Sequence, residues 1–312
     1  LTRHSGLDRV FFCNSGAEAN EGAIKLVRRY QQKIRGTERY EVVTFRQSFH
    51  GRTLATLTAT GQDKVKDGFG PLPQGFVTVP YNDIEALGAA IGPHTGAIML
   101  EFVQGEGGVN PADPAFVRAA VELCRKHGLL LIADEIQTGI GRTGCWFAYQ
   151  HYGIEPDIVT VAKGLGNGLP IGAVLGRAEL AEAFGAGTHG TTFGGNPVAT
   201  AAAIGVLEAI EEEGVLEQAA ETGAWMLETL RRNLAGNAFV REVRGLGMIL
   251  GIECAGPVAD VIAAARERGL LVISAGPNVI RLLPSLNLSR ADAERGVDIL
   301  TSLLAEHAAA KV

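Results

Sequence analysis

Leu129-Leu130-Leu131-Ile132-Ala133-Asp134 and Ile158-Val159-Thr160-Val161-Ala162-Lys163 decide the fold of this chain. Each is a short, nearly unbroken apolar run that ends on one ionisable residue. Runs of this length bounded by turn signals read as strands buried on both faces of a parallel sheet. Ligands of such sheets collect at the carboxyl ends of the strands, so Asp134 and Lys163 are expected to face one crevice. A lysine amine forms a Schiff base with an aldehyde cofactor, and an aspartate beside a pyridine nitrogen keeps it protonated, so the pairing suggests pyridoxal phosphate. Taken alone, the two residues read equally well as a turn cap and a solvated strand end.

Outward from these runs, the pattern alternates. Strands are expected near residues 9–13, 41–45, 96–101 and 171–175, with amphipathic helices between them. In the segment 17–34, Ala23, Ile24, Val27, Tyr30 and Ile34 fall at helical spacing, and Phe116, Ala120, Leu123 and Cys124 do so after Pro114. Such alternation means an α/β layer sandwich. After Asn196-Pro197 come helical patterns at 198–213 and 215–235, broken at Gly214. Beyond them, strands near 240–244, 248–253, 271–273 and 279–283, a helix at 258–268 and a last helix from Arg290 to about His307 form an α+β cap; Ala308 to Ala310 are expected to fray. The expected domains are residues 1–213, large and α/β, and 214–312, small and α+β.

Composition narrows the function classes. The 312 residues carry 34 acidic against 28 basic side chains, with no basic stripe, which gives no case for nucleic acid. A hydrophobic content of 46% is ample for a core, and no signal peptide or membrane-spanning run appears. The four cysteines, Cys13, Cys124, Cys145 and Cys254, have no metal spacing and read as reduced thiols in the cytoplasm. The chain opens at Leu1 without methionine and runs at once into a strand, which reads as a fragment.

Several further strings sit where strands end. Asn14-Ser15-Gly16-Ala17-Glu18 joins a strand to a helix: Ser15 and Glu18 fit a capping box, Gly16 lets backbone approach a phosphate, and the first-turn amides favour an anion. A plain capped helix explains the same residues. In Ser48-Phe49-His50-Gly51-Arg52, Phe49 suits stacking on a pyridine ring and Arg52 a bidentate carboxylate contact; core packing and a surface ion pair are the alternatives. Glu101-Phe102-Val103-Gln104-Gly105-Glu106 ends another strand with two acids, which read either as a holder for an arginine or as solvated loop residues. The loop 188–197, with Thr191 and Thr192, suits phosphate oxygens or is an ordered turn. Arg281, inside the apolar strand 279–283, needs a partner, either a structural carboxylate or the carboxylate of an amino acid.

Taken together and in this order, these strings resemble the class-III aminotransferases, from about Leu7 to the last helix. The resemblance implies a type-I pyridoxal-phosphate transferase fold: a mostly parallel sheet with helices on both faces, plus a smaller C-terminal α+β domain. It implies pyridoxal 5'-phosphate bound to Lys163 as a Schiff base, with Asp134 at the pyridine nitrogen and Glu135, Ile136 and Gln137 near the ring. Ser15, Gly16 and Ala17 would cradle the phosphate, Phe49 would stack on the ring, and Thr192 would reach the phosphate of a partner subunit in a homodimer with shared sites. Arg281 would take the α-carboxylate, pairing with Glu106 in the empty enzyme, while Arg52 takes the distal carboxylate of glutamate and Thr191 lies close to the substrate. Phe102, Asn167 and Thr191 depart from the family's usual proline, glycine and serine. The resemblance also implies an N-terminal segment that helps wall the substrate channel and seal the dimer, which would be missing here.

By the same likeness, Lys163 to Gly172 leans toward the branch that moves an amino group between N-acetylornithine and 2-oxoglutarate in arginine biosynthesis. Ornithine, 4-aminobutyrate, succinylated diamines and a carrier-linked lysine precursor are the alternative donors, and an inactive truncated remnant is a further rival. A dinucleotide oxidoreductase would also explain alternating strands and glycine turns, but no Gly-x-Gly-x-x-Gly follows the first strand. Among partners, small amino-acid and 2-oxo-acid substrates are expected, and neither nucleic acid nor membrane.

Overall fold

The computed structural model describes residues 1–309. Along the chain, β1 (Arg9–Cys13), β2 (Glu41–Phe45), β3 (Phe76–Val79) and β4 (Thr95–Leu100) are followed by a short hairpin of β5 (Val103–Gln104) and β6 (Asn110–Pro111). Next come β7 (Leu130–Asp134), β8 (Ile158–Val161) and β9 (Gly172–Gly176), and near the end β10 (Val240–Leu246), β11 (Ile249–Cys254), β12 (Ile273–Ser274) and β13 (Val279–Leu282). Two compact units result. The first holds Leu1–Phe102, Ala112–Ile140 and Trp146–Ala209; the second holds Val103–Pro111, Gly141–Cys145 and the chain from Ile210 onward.

In the first unit, seven strands run in the order β1-β9-β8-β7-β4-β2-β3. Strands β8, β7, β4, β2 and β3 pair in parallel, and β9 pairs antiparallel with both β8 and β1. One strand in seven therefore runs against the rest. All five residues of β7 and all six of β4 are buried, as expected of central strands covered on both faces. Alternation then sorts the side chains. Val42, Ala97, Met99, Leu130, Ile132 and Ile158 join Ala19, Ala23, Leu26 and Val27 of the helix Gly16–Arg29 in one core. On the other face Phe45 meets Phe116 of the helix Pro114–His127 edge-on, with centroids 5.3 Å apart. Each fully buried Leu, Ile or Phe contributes about 1.5–3 kcal/mol, so this packing, more than helix propensity, holds the layers together.

The second unit has a four-stranded antiparallel sheet, β10-β11-β13-β12. Leu250, Ile252 and Ile280 from its strands pack with Leu230, Val261, Leu300 and Leu304 from the helices Val215–Asn233, Ala259–Glu267 and Arg290–Ala309. This is the expected α+β arrangement. Gly214, at φ 62°, separates Val215–Asn233 from the helix Pro197–Glu212, and the domain division we propose, between residues 213 and 214, falls at that glycine.

Some elements differ from expectation. The helix expected to reach residue 34 changes to a π turn over Tyr30–Ile34, where Arg35 donates its amide to the Tyr30 carbonyl. Edge strand β3 lacks the fully buried apolar run of the central strands, with only Val79 buried, and the β5–β6 hairpin has two residues a side. Leu271, 84% exposed, does not join the sheet edge, so β12 begins at Ile273. The last helix continues to Ala309; Ala310 lies outside the described residues.

Candidate active site

The carboxyl ends of β2, β4, β7 and β8, with the loop after β1, border a cavity of about 430 Å³. Its wall includes Ser15, Gly16, Ala17, Phe49, His50, Arg52, Glu101, Asp134, Ile136, Gln137 and Lys163. Parallel strands put these residues on one edge because each strand leaves the sheet in the same direction.

Asp134 continues the face of Leu130 and Ile132, the face covered by the helix Gly16–Arg29, and Asn20 of that helix meets it. Asn20 Nδ2 donates to Asp134 Oδ2 at 2.8 Å and to the His50 carbonyl at 2.7 Å, while Thr160 donates to Asn20 Oδ1 at 2.8 Å. His50 Nδ1 lies 2.7 Å from the same Asp134 oxygen, and the Ile136 amide donates to Oδ1 at 3.1 Å. Burial pulls the His50 imidazole toward its neutral form, but the hydrogen bond and charge of Asp134 offset this, and the net shift is upward. Donors from His50, Asn20 and the Ile136 amide hold the Asp134 carboxyl fixed in orientation.

Lys163 opens the short 3-10 turn Lys163–Gly166 at φ 42°, a left-handed conformation that a lysine rarely adopts. Local strain of this kind is tolerated where the surroundings fix it, and here it aims the chain end of β8 at the cavity. Asn167 closes the turn at φ 43°, which explains why glycine is frequent at that position and why asparagine also fits. Opposite, Ser15 caps the helix Gly16–Arg29 by accepting from the Glu18 amide at 3.2 Å. Gly16 and Ala17 line the cavity at the start of this helix, where first-turn amides have no partner within the helix and are available to an anion. A Cβ on Gly16 would lie 2.8 Å from Ile136 Cγ2, so only glycine fits against that wall. An amine, a carboxyl group held by three donors, an aromatic ring and first-turn helix amides around one cavity suit the chemistry of pyridoxal phosphate.

Two more acids are buried nearby. Glu101 accepts from the Phe49 amide at 3.0 Å; burial raises its carboxyl, His50 draws it partly back, and it settles at about 8. Glu135 does not line the cavity. Its carboxylate accepts from Thr138 Oγ1 at 2.6 Å and from the Tyr149 amide at 3.0 Å, and burial leaves it at about 7 despite those bonds. Glu135 thus ties β7 to the loop after it, whereas Ile136 and Gln137 reach the cavity.

The remaining expected residues fall as follows. The Arg52 guanidinium lies 5.6 Å from the centre of the Phe49 ring. Thr191 accepts from Asn14 Nδ2 at 3.2 Å and from the Gly194 amide at 3.2 Å, and Thr192 is exposed. Within the second unit, Arg281 Nη1 donates to Glu106 Oε1 at 2.7 Å and to the Gly105 carbonyl at 2.6 Å. Phe102, where proline is usual, is fully buried against the rings of Tyr149 and Tyr152. Asn20, His50, Thr160 and Glu101 were not among the expected site residues. Asn20 carried one signal: a polar residue at the spacing of Ala23, Ile24 and Val27, on the face that packs on the sheet.

Residues 1–304 match the family described as Aminotransferase class-III. The acetylornithine aminotransferase of Bacillus subtilis (strain 168) is 54% identical over 311 residues, covering 99% of this chain and 79% of that protein. That of Halalkalibacterium halodurans is 54% identical over 304 residues, covering 97% and 78%. Among solved structures, the ornithine aminotransferase of Toxoplasma gondii, with partial occupancy of PLP at its active site, superposes with a TM-score of 0.94 at 34% identity. That superposition covers 98% of this chain and 74% of the other.

Proposed function

The chain belongs to the class-III aminotransferases, and from that membership we propose that it moves an amino group between N-acetylornithine and 2-oxoglutarate, giving N-acetylglutamate semialdehyde and glutamate. The names of relatives at 54% identity support this choice of substrate within the family. The observation that carries the chemistry is the placement of Asp134 and Lys163 on one cavity wall with the amides of Gly16 and Ala17. When bound, pyridoxal phosphate supplies an aldehyde for covalent attachment of amines and a ring that accepts electrons.

The chain's own residues supply the rest. Asp134, whose Oδ1 accepts from the Ile136 amide, would face the pyridine nitrogen. Phe49 would lie against the ring, and the backbone N–H groups of Gly16 and Ala17 would hold the phosphate. Lys163 Nζ would be the point of attachment and, once free, the base that takes and returns the proton at the reacting carbons. On the family resemblance, Arg281 takes the α-carboxylate in exchange for Glu106, and Arg52 the distal carboxylate of glutamate. Thr191 would lie close to the substrate and Thr192 would reach the phosphate in a partner subunit.

The proposed assembly is a cytoplasmic homodimer. Phe193, Val198 and Ile204 are large apolar side chains left exposed in this segment, which supports burial against a second copy. Among the described residues, no helix is long and apolar enough to cross a membrane, and no group of acids, histidines and cysteines is placed to hold a metal. Purified protein supplied with pyridoxal phosphate, 2-oxoglutarate and N-acetylornithine should form glutamate. Glutamate formation from ornithine or 4-aminobutyrate, and none from N-acetylornithine, would reassign the substrate.

A further inference from the structure

Two carboxyl groups share the cavity wall, and hydrogen bonds are divided unequally between them. Asp134 is 3% exposed and Glu101 6%. Asp134 receives donors from His50, Asn20 and the Ile136 amide, whereas the Glu101 carboxyl receives the Phe49 amide alone among the described residues. In a wall of low dielectric, two carboxyl groups facing one cavity raise the cost of each other's ionisation, and burial raises the Glu101 carboxyl most. Charge stays on the group with more donors, and the proton goes to the other.

We propose that Glu101 is a positioning residue held as a neutral acid: Oε2 fixes the Phe49 backbone, and the other oxygen carries a proton, leaving Asp134 as the wall's single negative charge toward the pyridine nitrogen. This rests on the cofactor reading above and adds to it a group outside the reacting set. The titratable groups that Glu101 meets are His50 and Asp134, beyond the ends of the neighbouring strands, Lys163, and the buried phenol of Tyr81. Burial outweighs the help from His50 and the Phe49 amide, so the neutral form persists up to about pH 8. Above that, a second negative charge enters the wall. It competes with Asp134 for the pyridinium and repels the cofactor's phosphate.

The test uses infrared difference spectra of the apoprotein, wild type minus Glu101→Gln, taken across a pH series. A carboxylic-acid C=O band should be present at neutral pH and give way to carboxylate bands near pH 8. Carboxylate bands already present at neutral pH would overturn the proposal. If Glu101→Gln does not fold, a Glu135→Gln/Asp157→Asn protein serves, because burial also raises Glu135 and Asp157 and the remaining band then reports Glu101. A second readout is the ratio of pyridoxal-phosphate affinities, wild type to Glu101→Gln, from fluorescence titration of the apoproteins. That ratio should be flat below about pH 8 and fall by up to about tenfold per pH unit above it; a ratio flat throughout counts against the proposal. Should neither protein bind the cofactor, the cofactor reading fails, while the infrared band still decides the state of Glu101.

Discussion

Asn20 Nδ2 and Asp134 Oδ2 are 2.8 Å apart although 114 residues separate them in the chain. Asn20 also ties down the His50 carbonyl and accepts from Thr160, so one buried amide braces a helix, a loop and two strands around a single carboxylate. A buried hydrogen bond to a charged group is worth about 1.5–3 kcal/mol. Asn20→Ala and His50→Ala should therefore each weaken pyridoxal-phosphate binding by about 10- to 100-fold, measured by titrating the apoprotein. Unchanged affinity in both variants would mean that Asp134 needs no such support.

Gly172 opens β9 where a Cβ would lie 2.5 Å from the Ser15 carbonyl, a backbone atom that cannot swing aside. Gly172→Ala should push the anion cradle out of place, cost about 1–3 kcal/mol of stability and weaken cofactor binding. At the other end of the same strand, a Cβ on Gly176 meets nothing closer than 3.6 Å. Gly176→Ala should leave cofactor binding unchanged. Thermal melts with cofactor titration compare the two directly.

Glu101 and Glu135 give stability a defined pH dependence. Their unfolded value is 4.5, and in the folded protein burial raises them to about 8 and about 7. Between these limits the folded chain binds more protons than the unfolded chain, so their contribution to stability falls as pH rises and levels off above about pH 8. Glu135→Gln should flatten that fall over its lower part, up to about pH 7. Urea unfolding at a series of pH values reads this out. An identical slope in wild type and variant would contradict it.

Substrate choice within the family is the least physical of the assignments, and kinetics settle it. We expect kcat/KM for N-acetylornithine to exceed that for ornithine by about tenfold or more, the scale on which one differing substituent is discriminated. Equal values would point to a broader ω-amino-acid transaminase.

Much of the fold was legible because its strands are buried on both faces. The apolar runs ending at Asp134 and Lys163 had no reading as half-exposed strands, and their parallel pairing carried both groups to one edge. Edge strand β3 and the β5–β6 hairpin were not legible, because only Val79 of β3 is buried and two residues a side are too few for a period to emerge. Ser15, Gly16 and Phe49 stood out because each lies in a strand-end string of distinctive chemistry, whereas Gln137 and Glu135 came only with the family resemblance. The carboxylate of Glu135 turns to Thr138 and the Tyr149 amide, a choice made by tertiary contacts. The support of Asp134 by Asn20, His50 and Thr160 joins three separate segments, and sequence spacing does not encode that meeting.

The central claim is that Lys163 holds pyridoxal phosphate with Asp134 across the ring from it. Reducing the cofactor-loaded protein with borohydride and digesting it fixes the attachment for peptide mass spectrometry. The pyridoxyl group should be found on the peptide carrying Lys163, and Lys163→Ala should show none and lose transamination. A label on another lysine, or a variant that still turns over, would contradict the account.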